Sequence, residues 1–544
     1  MAIPLLLKLT VMLSVQLWTL QKWDHPWAVP SKATAAAFLL FDMSVLAFWR
    51  LMLATKISTV RGLPGPKSKS FLFGNISAYY DQARQVTRWI LIYPNDGLLF
   101  FRGIFGSGNL FVTDVEGIMD MMVHRPYDFE KPSRWTAFWK NFLGSGLFIM
   151  EGDLHKHHRK LVGPVFQQRR TDDLKPIMSS KAQTLVRRIK ETKASEESKD
   201  NNTDHSISVD LCYWSSRFAI DIACILALGI DHDTLSNVQS PILAYHDDML
   251  QYDDNKKSLF TYYMVVPKLL VRLLPDGFGR ALSPVVQPIR RLLSQIAQER
   301  ALQFAAGDQM GLDYLSCIVT SGEYNNEECA DDVLGILVAG TGTTANVIAW
   351  IAVELAFSQE VQEALRQELQ AVTVGKTFPV ESIIDSLPLL HGVCHEGLRL
   401  HPPVPLTVRK SVRDTTIRDR AVPAGTYVVV APAAMHQSPQ IWGEDAAEFR
   451  PGRWVQYDEK DAAKTARINT SGGASSQYCS TSFLYGPRGC IGRALAMAEI
   501  KRVVAALVLH FRIEAGGQGR PSSTGLFTSR PDPGFRVKLR PLGD

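Results

Sequence analysis

Ten residues near the C-terminal end, Phe483-Leu-Tyr-Gly-Pro-Arg-Gly-Cys-Ile-Gly492, constrain this chain more than any other stretch. Cys490 stands there among glycines and a proline, so the backbone around it is expected to turn tightly and aim its amides at the sulfur. Gly486 and Gly489 permit turns closed to residues with a side chain, and Gly492 lets the helix that opens near Arg493 come close to a flat partner. Phe483 is placed to cover the sulfur, and Arg488, two residues before it, to meet an acidic group. A sulfur held deprotonated in this way serves as a metal ligand; a buried small hydrophobe, the ordinary role of a free cysteine, is the alternative.

The pattern Phe-x-x-Gly-x-Arg-x-Cys-x-Gly resembles the cysteine-ligand loop of the cytochrome P-450 family, the haem-thiolate monooxygenases, with every fixed position filled: Phe483, Gly486, Arg488, Cys490 and Gly492. The resemblance implies haem b with Cys490 as the axial ligand of its iron and Arg488 on a propionate. It also implies a fold that is mainly α with small β-sheets, built as a single large haem domain.

A chain of 544 residues can bury a large core, and no Pro- or Gly-rich linker or internal repeat divides it. One catalytic domain over 61–544 is therefore expected, behind a membrane-anchor region over 1–60. The formal charge of +5 is small and carries no Lys/Arg block, which makes nucleic acid a poor partner. Seven cysteines without paired spacing fit a reducing compartment rather than a disulfide framework. Asn75, Asn201 and Asn469 begin Asn-x-Ser/Thr triplets that are expected to stay unmodified on the cytosolic side.

Two apolar stretches, Ile3 to Leu20 and Ala35 to Leu53, each approach the roughly 20 residues that span a bilayer. Lys8 interrupts the first, and Asp42 and Arg50 the second, where a mid-helix Asp costs about 2.5 to 3.5 kcal/mol. One span or two remains open, and a cleaved signal peptide is the competing reading. Lys56, Arg61, Lys67 and Lys69 follow, so the positive-inside rule puts the catalytic domain on the cytosolic face of the endoplasmic reticulum membrane. Leu63-Pro-Gly-Pro66 then reads as a stiff, extended hinge, which membrane-bound members of the resembled family also carry.

Beyond the hinge, Leu98 to Arg102 and Leu110 to Thr113 read as strands, and helical periodicity dominates afterwards. Gly152-Asp-Leu-His-Lys-His-His-Arg-Lys160 resembles the family helix that reaches the haem propionates, with His155 where Trp is common and Arg159 four residues on. Without the family, the same run is a solvated helix face or a metal site of His155 and His158. Ser195 to His205 reads as a mobile loop. Leu259 to Leu274, with Tyr262, Tyr263 and Lys268, is either a bilayer-facing patch over the substrate entrance or a plain core helix.

Asp332 to Phe357 is a long apolar helix whose middle, Ala339-Gly-Thr-Gly-Thr-Thr344, is poor helix material, each interior Gly costing about 1 kcal/mol. The expected purpose is a local opening for dioxygen, with Thr343, assisted by Thr341, handling protons. The motif resembles the family's Ala-Gly-x-acid-Thr-Thr, but Gly342 occupies the acidic position. Proton delivery then needs ordered water through Thr341 and Thr343, or the chemistry needs fewer protons; Gly342 relieving packing is the structural alternative.

Glu396 and Arg399 lie three residues apart on one helix face, a spacing that commonly means only a surface ion pair. His401-Pro-Pro403 ends that helix, and Arg453 in Phe449-Arg-Pro-Gly-Arg-Trp454 matches the third member of the family's buried Glu-Arg-Arg core, a structural support of the haem loop. Arg409 matches a further propionate-binding position, Val404 to Val408 are expected to line the pocket, and Asn469 to Ser476 reads as a surface insertion.

The resemblance implies a monooxygenase that activates O2 with electrons from a separate NADPH-dependent reductase in the membrane. It would hydroxylate, epoxidise or desaturate a lipophilic small molecule, as fungal microsomal members do when tailoring secondary metabolites. The alternatives are a haem-thiolate isomerase or dehydratase that needs no external electrons, and a non-catalytic haem-binding protein.

Overall fold

The computed structural model describes residues 60–543 apart from 61, 71–72, 80–82, 198–205, 238, 251–253, 267–276, 374–377, 458–464 and 526–527, together with Ser44. Apart from Ser44, the two N-terminal apolar stretches lie outside the described residues, as does most of the loop at 195–205.

A run of valines sets the first layer. Tyr427–Val430 has Val428, Val429 and Val430 all buried, which is what a strand covered on both faces requires. It pairs parallel with Gly108–Val112 and antiparallel with Thr407–Ser411. Leu98–Arg102 extends the sheet beyond Gly108–Val112, and Phe129–Glu130 closes the other edge on Thr407–Ser411. The second expected strand thus starts two residues earlier and ends one earlier. This sheet brings Arg409, opposite Val428, beside the chain at Glu130 and Lys131. The Pro-Gly-Pro hinge docks on it: Phe100 donates its N–H to the Pro64 carbonyl at 2.9 Å, and a Cβ on Gly65 would stand 1.9 Å from the Phe100 oxygen.

Helices make up most of the remainder. Asn326–Phe357 runs through the middle of the molecule. It begins six residues before the apolar run because Asn325 and Glu328 form a capping box, the Asn325 oxygen accepting from Glu327 and Glu328 at 3.0 Å each. Leu211–Leu228 packs along it, started by Asp210 and stopped by Gly229 at φ +68°. Pro388–Leu400 and Arg493–His510 pack against it from other sides. Among the described residues, Leu211–Leu228 and Asn326–Phe357 are long and apolar enough to cross a membrane, but 83% and 72% of these windows are buried. They are core helices of one mostly helical domain with small sheets.

The structure sharpens two readings. Leu259, Phe260 and Met264 are buried against Phe138, Phe142 and Leu143 of the helix Ser133–Leu143, so the described half of the 259–274 patch is core. The segment from Asn469 lies at the surface and is tied down at one side: Asn469 donates to the Arg453 carbonyl at 3.2 Å, and a Cβ on Gly472 would lie 2.8 Å from the Trp454 ring.

Candidate active site

The sulfur loop is folded by its own backbone. Cys490 donates its N–H to the Phe483 carbonyl at 2.8 Å, and Gly489 to that of Gly486 at 3.0 Å. Gly486, at φ +73°, is required, since a Cβ there would sit 1.9 Å from the Met122 carbonyl oxygen. Gly489, by contrast, has an ordinary φ of −67°, and Leu484 at φ +53° takes the left-handed turn expected of it. A Cβ on Gly492 would meet no protein atom within 4 Å, leaving room for a flat group above the start of Arg493–His510.

All seven cysteines are described, and Cys490 alone is exposed. The sulfur is solvent-accessible yet surrounded by protein, whose desolvation raises its thiol pKa, so it opens into a recess. The Gly492 N–H directed at the sulfur, Arg159 and Arg493 oppose that rise and favour the thiolate. Phe483 lies half-buried under the Arg493 guanidinium, 5.8 Å from its ring centre.

Arg159 follows His155 by one turn on Gly152–Val162 and donates to the Gly489 carbonyl at 2.8 Å, which ties that helix to the sulfur loop. His155, 4% exposed, shares a 3.3 Å hydrogen bond with the Tyr127 hydroxyl. Burial, then Arg488, Lys131 and Arg159, push its pKa down to about 4, so the ring is neutral at pH 7. His158 points elsewhere, to Asp332 at 2.5 Å and to the hydroxyls of Tyr314 and Tyr324. The two histidines therefore share no metal. A separate acidic trio, Asp221, Asp231 and Asp233, is already filled by the Lys181 ammonium, 2.8 to 3.0 Å from each.

Arg488 is buried, donates to the Phe129 carbonyl at 2.7 Å and pairs with Glu151. Lys131 pairs with the same Glu151 carboxylate at 3.1 Å. Arg409, 4% exposed, donates to Thr407 Oγ1 at 2.7 Å and the Val408 carbonyl at 3.0 Å. Burial, with Arg488 nearby, pushes its pKa down to about 10; burial and the two guanidiniums push that of Lys131 down to about 7. Three cations, two buried guanidiniums and the half-buried Lys131, thus face one carboxylate, and the Nε atoms of Arg409 and Arg488 have no partner. Such a surplus suits a group bearing two carboxylates, as haem does. Lys131, Glu151 and Tyr127 were not evident from sequence, although Lys131 follows the Phe129–Glu130 edge strand and Glu151 immediately precedes the His155 helix.

Thr341 and Thr343 sit mid-way along the central helix, which is continuous there rather than opened. Their hydroxyls bond back to the carbonyls of Val338 at 3.5 Å and Ala339 at 2.8 Å. Ile336, Ala339, Gly340 and Thr343 form an exposed or half-buried stripe in a helix otherwise largely buried. Gly342 is buried, and Gly340 faces Ala223, which a Cβ would approach to 3.7 Å. Val404 is 39% exposed, while Leu406 and Val408 are buried.

Glu396 and Arg399 are both 0% exposed and bidentate, at 2.8 Å through each oxygen. Arg453 and the Trp454 indole each add a 2.9 Å bond to the same carboxylate, and Arg399 also donates to the carbonyls of His436, Ala446 and Glu448. His436, invisible to the sequence reading, carries this core to Thr481 at the start of the sulfur loop.

A family model described as Cytochrome P450 matches residues 64–539. The chain is 30% identical over 505 residues to cytochrome P450 monooxygenase ptmK of Penicillium ochrochloron, covering 92% of this chain and 97% of that protein. It is 29% identical to cytochrome P450 monooxygenase sphH of Aspergillus fumigatus, over 89% of each. It is also 29% identical to cytochrome P450 monooxygenase ALT8 of Alternaria alternata, over 92% and 93% of the two chains. With a sulfur loop, a cation cluster and a threonine-bearing central helix in one fold, and with these matches along nearly its whole length, the chain belongs to the cytochrome P450 family.

Proposed function

We propose that this protein inserts oxygen into, or desaturates, a lipophilic small molecule, as a tailoring step in fungal secondary-metabolite biosynthesis. Family membership brings haem b, dioxygen and a reductase partner with it; when bound, the haem supplies oxygen activation, and a thiolate on its iron favours O–O cleavage. The observation that carries the reading is the Cys490 sulfur, open to the recess and favoured as thiolate by the Gly492 amide, Arg159 and Arg493. Cys490 holds the iron, and Gly486 and Gly492 shape the loop. Arg409, Arg488 and Lys131 hold the propionates, assisted by His155 and Arg159. Thr343, with Thr341 behind it, orders water on the oxygen side. Glu396, Arg399 and Arg453 fix the loop from below. The electrons come from an NADPH-dependent reductase in the endoplasmic reticulum membrane, where residues 1–60 anchor the chain with the domain of residues 61–544 in the cytosol.

The test is a mass-spectrometric comparison of metabolites from the source fungus with the gene intact, deleted, or carrying Cys490→Ser. A missing product heavier than the accumulating precursor by one oxygen, or lighter by two hydrogens, supports the reading. Precursor and product of equal mass would overturn it in favour of an isomerase.

A further inference from the structure

A hydrogen-bonded group of side chains beside the sulfur loop takes no part in the function proposed above. His158, 0% exposed on Gly152–Val162, has Nε2 at 2.5 Å from the Asp332 carboxylate and Nδ1 at 2.8 Å from the Tyr324 hydroxyl. A carboxylate only accepts, so Nε2 carries a hydrogen, and in the neutral ring Nδ1 is a bare acceptor for the Tyr324 O–H. Asp332, 3% exposed, is itself fixed by the Tyr314 hydroxyl at 3.0 Å and the Leu147 N–H at 2.8 Å. Phenol, imidazole and carboxylate thus follow one another as in a general-base triad. In that order the carboxylate sets the tautomer and stabilises the imidazolium formed when the ring takes a proton.

Two contacts join this group to the candidate site. Arg159, the residue after His158, donates at 2.8 Å to the carbonyl of Gly489, the neighbour of Cys490. Leu147, held by Asp332, precedes Phe148, whose ring centre is 5.5 Å from the Lys131 ammonium of the cation cluster. Tyr324 forms the outer end and is half-buried. Loss of an electron makes a phenol strongly acidic, so a tyrosine is oxidised readily where a base takes its proton in the same event. Tyr127 is less suited: its bond to His155 is 3.3 Å long, and Lys156 and Arg488 lie 4.3 and 5.9 Å from its ring centre, where positive charge opposes loss of an electron. We propose that Tyr324 is a one-electron donor to the haem, with His158 as the acceptor of its proton. The oxidant is the haem after peroxide has acted on it, which arises when oxygen is reduced with no substrate to attack. The Tyr324 O–H bond breaks; the electron reduces the haem by one equivalent and the proton goes to Nδ1 of His158. A neutral tyrosyl radical remains beside an imidazolium paired with Asp332. A solvent thiolate then supplies one electron, becoming a thiyl radical, and His158 returns the proton to restore the phenol. Oxidising equivalents that would otherwise destroy the haem leave through Tyr324, while Asp332 and Tyr314 act as positioning residues.

The donor role rests on the monooxygenase reading for its source of peroxide, so the experiment supplies hydrogen peroxide directly. The haem-loaded full-length protein in lipid vesicles, without reductase or substrate, is mixed with peroxide and frozen within milliseconds for electron paramagnetic resonance. Loss of haem absorbance per peroxide added is followed in parallel. Wild type is compared with Tyr324→Phe and with Tyr213→Phe, which alters a 41% exposed tyrosine set against Trp214 and Arg217. Wild type should show a tyrosyl signal that narrows when ring-deuterated tyrosine is incorporated. Tyr324→Phe should keep its haem content, lose the signal several-fold and bleach at least twice as fast, and Tyr213→Phe should match wild type. A wild type without a tyrosyl signal, or a signal of full size in Tyr324→Phe, overturns the donor role alone. In a separate assay with a fungal NADPH-dependent reductase, a wild type that draws no electrons from NADPH overturns the monooxygenase reading, and with it the source of peroxide that the donor role requires.

Discussion

Thr481 donates its backbone N–H to Nε2 of His436 at 2.8 Å. The other ring nitrogen donates to the Arg399 carbonyl at 3.0 Å, so one buried neutral imidazole joins the Glu396–Arg399–Arg453 core to the start of the sulfur loop. A second tie runs beside it, from the Ser482 hydroxyl to the Leu398 carbonyl at 2.9 Å.

His436 makes the link sensitive to acid. Burial and Arg399 push its pKa down to about 3, and His155 is pushed down to about 4, both below the 6.5 of an unfolded histidine. The unfolded chain therefore takes up these protons first, and stability present above about pH 6.5 is lost as pH falls, by up to about 1.4 kcal/mol per pH unit for each ring. Melting temperature measured from pH 7 to pH 5 should fall, and His436→Gln should melt lower at pH 7 but with a shallower slope.

Glu396 is surrounded by two guanidiniums and an indole N–H, all directed at its carboxylate. Glu396→Ala strands Arg399 without exposure to water and should cost about 3 to 5 kcal/mol. Denaturant unfolding together with haem content would register it, and a Glu396→Ala protein that retains haem normally would refute the structural role.

Lys131 has opposite effects on the empty and loaded protein. Its folded pKa of about 7 lies below the 10.5 of a free lysine, so its charge destabilises the apoprotein and that cost fades as pH rises from about 7 to 10.5. Propionates held there as proposed would reverse the preference. Lys131→Met should raise the melting temperature of the apoprotein at pH 7 and speed haem transfer to an acceptor globin several-fold.

Gly486→Ala places a methyl 1.9 Å from the Met122 carbonyl at a φ of +73°. The loop must move, and with it the sulfur. Haem incorporation should fall by an order of magnitude or more, whereas Gly492→Ala, which meets no protein atom within 4 Å, should leave apoprotein stability unchanged. Calorimetry of the two apoproteins and absorbance of the two loaded proteins separate these outcomes.

Much of the site was legible because its parts are local. Cys490 carries its glycines within four residues, and Glu396 and Arg399 share one helical turn. The capping box of Asn325 and Glu328 is equally local, but the expected helix began at Asp332 because only its apolar run was read. Lys131 and Glu151 were not legible, since only the pairing of Phe129–Glu130 with Thr407–Ser411 brings that chain beside Arg409. His436 stayed hidden for the same reason: its partners Arg399 and Thr481 are separated from it by 37 and 45 residues. Gly489 and Leu484 exchanged roles because the loop turns on Leu484, against the general preference for glycine at positive φ.

The most direct measurement is the absorption spectrum of the reduced, carbon monoxide-treated protein, wild type beside Cys490→His and Cys479→Ser. Thiolate ligation predicts the strongly red-shifted Soret band in wild type, its loss with haem retained in Cys490→His, and its persistence in Cys479→Ser, whose sulfur is buried away from the recess. A wild type lacking that band, or a Cys490→His protein that keeps it, would contradict Cys490 as the ligand.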